Sequence, residues 1–215
     1  MREVGEAIGQ VERLIEVERP QVSSSIRITS TDAFCHVLMP KIIAGLSEEI
    51  TSPISVLSSN THVDFTRLQA DITVRPALEL PEELSGSKAA EFKFGVFAAK
   101  DGDDSWLGFE GVIARTAAAD WLRRAQNHRE FSVTGDSFVM LAGLAAQGMG
   151  RGILPLFLGD AWPGLERIQV LNDIPPVPIW VASHVDLVRS GRLRRARRYI
   201  AEALAAETPR LMGKA

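Results

Sequence analysis

The chain has 215 residues, 46% hydrophobic and 24% charged, with a formal net charge of −3. That length allows one large domain or two small ones with real cores. The weak acidity excludes a chain-wide electrostatic footprint for nucleic acid, although it leaves open a DNA-binding region elsewhere. No apolar run approaches the ~20 residues of a membrane span, and the N-terminus lacks the basic flank and apolar core of a secretion signal. The single cysteine, Cys35, cannot form an internal disulfide and fits a reducing, cytoplasmic setting. Set among Ala33, Phe34, Val37 and Leu38, it reads as a buried, unreactive thiol.

Residues 1–19 form a separate piece in which Val4, Ile8, Val11 and Ile15 recur with the spacing of a coiled-coil seam. The seam reads either as a helix seeking a partner helix or as a packing helix of the same domain, and Pro20 ends it. Ile26–Thr29 alternates as a strand. Ser30, Thr31 and Asp32 then offer caps for a helix running to about Leu46, which Pro40 should bend. A second strand over Ile54–Leu57 leads through Ser58, Ser59, Asn60 and Thr61 into a short helix over His62–Gln69, then a strand over Asp71–Arg75. This βαβαβ order predicts a parallel sheet with right-handed crossovers.

Residues 76–90, with Pro76, Pro81, Ser85, Gly86 and Ser87, read as a loop or crossover. Phe92–Ala98 reads as one strand, Val112–Ala114 as a short strand, and Ala117–Gln126 as a helix turning Trp121 and Leu122 inward. Within 131–155, Thr134 and Asp136 are competent helix caps. Phe138, Leu141, Ala142, Ala145 and Ala146 recur at helical spacing, Gly148 suits a left-handed stop, and Ile153–Pro155 returns as a strand. Strands are expected over Arg167–Leu171 and Pro178–Ala182, and one long amphipathic helix over Asp186–Ala206. Two βα subdomains whose polar strand-to-helix turns face each other across a cleft fit this inventory better than one sheet.

Catalytic chemistry is poorly supported. His36, His62, His128 and His184 are scattered, with no i, i+4 pair and no cysteine cluster, so neither a metal site nor a cofactor is expected. No Gly-x-Ser-x-Gly elbow appears. The glycines at 148, 150 and 152 end a helix rather than open one and lack a following Lys-Ser or Lys-Thr, so they read as a helix stop rather than a phosphate loop. Arg189, Arg192, Arg194, Arg195, Arg197 and Arg198 read as a solvated helix face. Binding is the positive signal: Ser30/Thr31, Ser58–Thr61, Thr116 and Thr134–Ser137 all follow expected strands. In parallel α/β sheets ligands lie beyond the carboxyl ends of strands, where hydroxyls and free N–H groups suit a small, carboxylate-bearing molecule.

The order of these pieces resembles the effector-binding region of LysR-type transcriptional regulators. The resemblance is carried by Ile26–Thr31 leading to Leu38-Met39-Pro40, Leu68–Arg75, Phe94–Ala98, the Ala-Ala-Gln-Gly-Met-Gly-Arg-Gly-Ile-Leu-Pro run at 145–155, Trp162–Leu165, Pro178–Val181 with His184, Asp186 and Leu187, and Arg192–Arg198. It implies an α/β fold of two Rossmann-like subdomains joined by crossover strands, similar to type 2 periplasmic binding proteins. The first subdomain would hold 21–76 and 184–207, the second 77–183, and 1–20 would be the end of a linker helix. It also implies a non-enzymatic, effector-sensing role, with Ser30, Thr31, Ser59, Asn60, Thr116, Thr134 and Asp136 at the effector. Implied partners are a small-molecule effector, a second copy in a homodimer or homotetramer, and DNA through an N-terminal helix-turn-helix domain; no membrane partner is implied. No such DNA-binding region precedes residue 20, and an excised regulatory domain is the expectation. The alternative is a solute-binding protein of a transport system.

Overall fold

The computed structural model describes residues 25–60, 70–126, 131 and 133–214. The apolar seam of 1–19 and the short helix expected over 62–69 lie outside the described residues. The chain opens with β1 (Ile26–Ser30), α1 (Asp32–Val37), α2 (Met39–Glu49), β2 (Ile54–Ser58), β3 (Ile72–Pro76), β4 (Leu84–Phe92) and β5 (Phe94–Ala98). It continues through β6 (Gly108–Phe109), a 3₁₀ turn (Gly111–Arg115), α3 (Ala117–Ala125), β7 (Thr134–Gly135), α4 (Phe138–Ala146), β8 (Gly152–Pro155) and α5 (Leu156–Gly159). The last elements are β9 (Glu166–Val170), β10 (Val177–His184), a second 3₁₀ turn (Val185–Leu187), α6 (Gly191–Ala206) and α7 (Thr208–Leu211).

The larger sheet has the order β2-β1-β3-β10-β4. β1 pairs in parallel with both β2 and β3, as expected from the βαβαβ order, whereas β10 runs antiparallel to β3 and β4. Alternation along β1 and β3 puts Ile26, Ile28, Ile72 and Val74 on one face, each fully buried. Leu46 of α2 and Leu193, Ala196, Ile200 and Leu204 of α6 belong to the same core. On the opposite face Arg27 grips Asp71, its backbone N–H donating to Oδ2 at 2.8 Å and its Nη2 to Oδ1 at 3.0 Å, which pins β3 beside β1. The smaller sheet, β8-β5-β9, is antiparallel, and β6 pairs with β7 as a separate parallel pair.

Several local expectations need correction. The helix after β1 does not bend at Pro40 but breaks, with Leu38 serving both as C-cap of α1 and N-cap of α2. Proline is well tolerated in a first turn, where no intrahelical donor is needed, so it starts a new helix at little cost. The Ser-Gly-Ser segment read as loop is strand β4. A Cβ at Gly86 would lie 2.3 Å from the Val181 carbonyl oxygen, so glycine there admits the neighbouring backbone of β10. Phe92–Ala98 is two strands, divided at Lys93, where the chain leaves the larger sheet for the smaller. Lys93 N–H donates to the Leu211 carbonyl at 3.2 Å, and its own carbonyl accepts from Leu156 at 2.9 Å.

The strand expected over Val112–Ala114 is the 3₁₀ turn, entered through Gly111 at φ +58°. The long C-terminal helix starts at Gly191 rather than Asp186, because Ser190 caps it by accepting from Leu193 N–H at 3.4 Å. Its arginines are not simply solvated. Arg195 pairs with Glu49 at 3.1 Å and Arg197 donates to the Ser85 carbonyl at 3.3 Å, so the basic face ties α6 to α2 and β4. Gly148, at φ +75°, ends α4 as expected.

Candidate functional site

The carboxyl ends of β1, β2 and β3 point toward the same space as the N-termini of α3 and α4. Between them lies a cavity of about 350 Å³, within the range of small-molecule sites. Thr31–Phe34, Asn60 and Arg75–Leu78 form one wall. Val112, Ile113, Arg115–Ala117 and Phe138 form the facing wall, and Phe92, Phe94 and Phe157 close the base.

The base is an aromatic cluster. Phe34 and Phe157 have ring centroids 5.4 Å apart, Phe92 and Phe157 5.6 Å, and Phe94 and Phe138 5.6 Å. Phe92 belongs to the larger sheet and Phe94 to the smaller, with Phe34, Phe138 and Phe157 coming from helices, so the same contacts that floor the cavity join the two halves of the fold.

The polar groups fall into two sets. Thr31 holds the N-cap position of α1, yet its side chain makes no capping bond. The N–H of Asp32 instead donates to Asn60 Oδ1 at 3.1 Å, and Ala33 N–H donates to Asp32 Oδ1 at 2.6 Å. Asp32 Oδ2 accepts from the Ser137 hydroxyl, which itself caps α4 by accepting from Met140 N–H at 3.1 Å. This bond links the start of α1 to the start of α4 across 105 residues of sequence. At the second helix start, Thr116 caps α3 with its own hydroxyl, accepting from Ala119 N–H at 3.4 Å and donating to the Ile113 carbonyl at 2.7 Å.

Of the seven residues singled out by sequence, the structure brings Thr31, Asn60 and Thr116 together on the cavity lining. Ser30 is fully buried beneath it, its hydroxyl donating to the Val74 carbonyl at 2.8 Å. Ser59 adjoins Asn60, and its N–H donates to the Ser30 carbonyl at 2.9 Å. Thr134 and Asp136 are exposed and off the lining; Thr134 Oγ1 donates to Glu110 Oε2 at 2.8 Å. The cap of α4 is Ser137, not Thr134 or Asp136, because β7 still occupies Thr134–Gly135 and the first helical residue is Phe138.

Sequence reasoning took Asp32 only as a helix cap and gave Arg75, Arg115 and the phenylalanines no role at the site. Arg75 leaves the end of β3 and donates from Nη2 to Thr29 Oγ1 at 3.1 Å. Burial pulls its pKa below the ordinary guanidinium value, although it remains a cation at neutral pH. Its position at the carboxyl end of a parallel strand was the available signal. Arg115, at the end of the 3₁₀ turn, is exposed and has no hydrogen bond or ion pair among the described residues. Cys35, on α1 behind the cavity wall, is half-buried; burial raises its thiol pKa, opposed by the Ser58 hydroxyl.

A family model described as the LysR substrate binding domain matches residues 19–205. No curated protein matches the chain. Among solved structures, the regulatory domain of CrgA, a LysR-type transcriptional regulator from Neisseria meningitidis, is 20% identical. It superposes with a TM-score of 0.70, covering 85% of this chain and 100% of that one. The regulatory domain of MexT, a transcriptional activator in Pseudomonas aeruginosa, gives 15% identity, TM-score 0.69, and coverage of 85% and 98%. The effector-binding domain of QuiR in complex with shikimate gives 13% identity, TM-score 0.67, and coverage of 86% and 99%. At these identities the structures speak for the fold, of the type 2 periplasmic-binding-protein kind, while the family match spans most of the sequence. Among the described residues no helix is long and apolar enough to cross a membrane. The chain belongs to the LysR family and forms the effector-binding domain of a LysR-type transcriptional regulator.

Proposed function

We propose that the effector, a small carboxylate-bearing molecule, binds in the cavity between the two halves of the fold and acts there without being turned over. The observation that carries this reading is the convergence on one cavity of Thr31 and Asn60, beyond the carboxyl ends of parallel strands, with Thr116 at the facing helix start. The shikimate held by the related QuiR domain is an acid of suitable size. In this assignment Thr31 and Asn60 offer polar atoms to the effector, and Thr116 lines the cavity while its hydroxyl caps α3. Ser30 and Ser59 hold the loops that carry them, and Thr134 and Asp136 flank Ser137 on the far side.

Residues 21–76 with 184–207 would act as one subdomain and 77–183 as the other, with β4 and β10 as crossovers. The effector would bias their relative angle by binding one arrangement better than the other. Dimer or tetramer packing in the cytoplasm would pass that bias to helix-turn-helix domains on DNA. The family match favours this role over transport of a solute.

A thermal-shift screen of small carboxylates, shikimate included, followed by calorimetric titration of each hit tests the reading. Thr31→Val should weaken a hit at least about tenfold, or 1.4 kcal/mol, and Ala117→Trp should block it by filling the mouth. Unchanged affinity in both variants contradicts the site. Turnover of a bound compound contradicts the non-enzymatic role.

A further inference from the structure

The lining of the cavity narrows the chemistry of its ligand further than a carboxylate. We propose that the effector is an aromatic monocarboxylic acid, its ring set against Phe94 and Phe138 and its carboxylate paired with Arg115. The inference rests on the reading of the cavity as the effector site and adds a substrate class to it.

Three observations carry it. The first is the apolar character of the space. Phe94 and Phe138 lie 5.6 Å apart by ring centroid, and Val112, Ile113 and Val177 stand with them on the lining. Hydroxyls set against this apolar part of the lining would lose water without gaining a partner, whereas a ring finds edge and face contacts there. The second is Leu78, which lines the cavity yet is 80% exposed. An entering group covers a large aliphatic side chain at a cavity mouth, and an apolar one does so without stripping its own polar atoms of water.

The third observation is charge. Among the described residues the charged lining groups are Arg75, Arg115 and Asp32, two cations to one carboxylate. Asp32 is fixed in place, one oxygen accepting from Ala33 N–H and the other from the Ser137 hydroxyl. Arg75 turns its Nη2 to Thr29 on the sheet. Arg115 has no partner among the described residues and is the cation with its donors to spare. One carboxylate neutralises the site; a second would meet Asp32 without a counter-charge. Asp32 therefore selects monoacids over diacids.

The experiment is calorimetric titration of the protein with benzoate, 3-phenylpropanoate, phthalate, benzamide and gluconate. At least one aromatic monoacid should bind at least about tenfold more tightly than the diacid, the amide and the hydroxylated acid. Arg115→Met should cost that acid about tenfold and leave benzamide unchanged, while Arg115→Lys should retain most of the affinity. Asp32→Asn should close most of the gap between monoacid and diacid. Equal binding of benzamide, or tighter binding of phthalate by the unaltered protein, overturns the proposal. Binding of gluconate without either aromatic acid overturns the aromatic class and leaves the cleft assignment standing. Silence from all the acids up to about 10 mM, far weaker than a sensing affinity, removes both.

Discussion

The two helix starts that face each other across the cavity carry the same residue type in opposite states. At α3, the Thr116 hydroxyl is spent on its own helix, accepting from Ala119 N–H and donating to the Ile113 carbonyl. At α1, Thr31 makes no capping bond, and the work falls to Asn60 and to the carboxylate of Asp32. A hydroxyl engaged at both its donor and acceptor is structural first; one left over at a cavity wall is available to a ligand. The same residue type at the same helix position therefore has different consequences: Thr116 is held by neighbours three residues away, whereas the start of α1 is served by Asn60 from a distant loop.

The contrast can be broken at its common floor. Phe157 is fully buried against Phe34 and Phe92, so Phe157→Ala should cost about 3–5 kcal/mol in denaturant unfolding and loosen both walls together. A smaller effect is expected at the bridge between them. Ser137→Ala removes both the cap of α4 and the donor to Asp32 and should cost about 1–2 kcal/mol. In a double-mutant cycle with Asp32→Ala the two losses should be less than additive by at least about 0.5 kcal/mol. Additive losses would mean the bond contributes nothing across the cavity.

Smaller still, Thr116→Val should cost about 1 kcal/mol through loss of a cap. Thr31→Val should stay within about 0.5 kcal/mol of the unaltered protein yet weaken effector binding. Equal stability losses at the two threonines would erase the contrast. The least effect is at Cys35, on α1 beside Ser58 and Ser30. Burial raises its pKa, so the native state holds the proton more tightly than the unfolded chain. Its contribution to stability is complete below the unfolded thiol pKa and is lost as pH rises through the folded one. Labelling by a thiol reagent at neutral pH should accordingly be slower in the native protein than in denaturant.

Patterns along the chain made the parallel core legible. The alternation of Ile26–Thr29 and Ile72–Arg75, and the helical spacing of Phe138 to Ala146, are consequences of burial on one face, which leaves its period in the sequence. What was hidden depended on distant partners. Gly86 reads as a turn residue until Val181 is found 2.3 Å from where its Cβ would sit. Ser137 displaces Thr134 and Asp136 as cap because pairing with Gly108–Phe109 holds 134–135 extended. Capping chemistry could locate Thr31, Asn60 and Thr116 near a site, although only Thr31 and Asn60 come after strands and Thr116 follows the 3₁₀ turn. It could not reveal Arg75, Arg115 or the phenylalanine floor, because those meet only when two sheets pack together.

A crystal structure of the domain bound to the tightest acid from the screen addresses the central claim most directly. The account predicts the ligand inside the cavity, with an oxygen in hydrogen-bonding reach of the Thr31 hydroxyl or the Arg115 guanidinium and its apolar body against Phe138. A ligand bound elsewhere, with the space between Thr31, Asn60 and Thr116 empty, would contradict it.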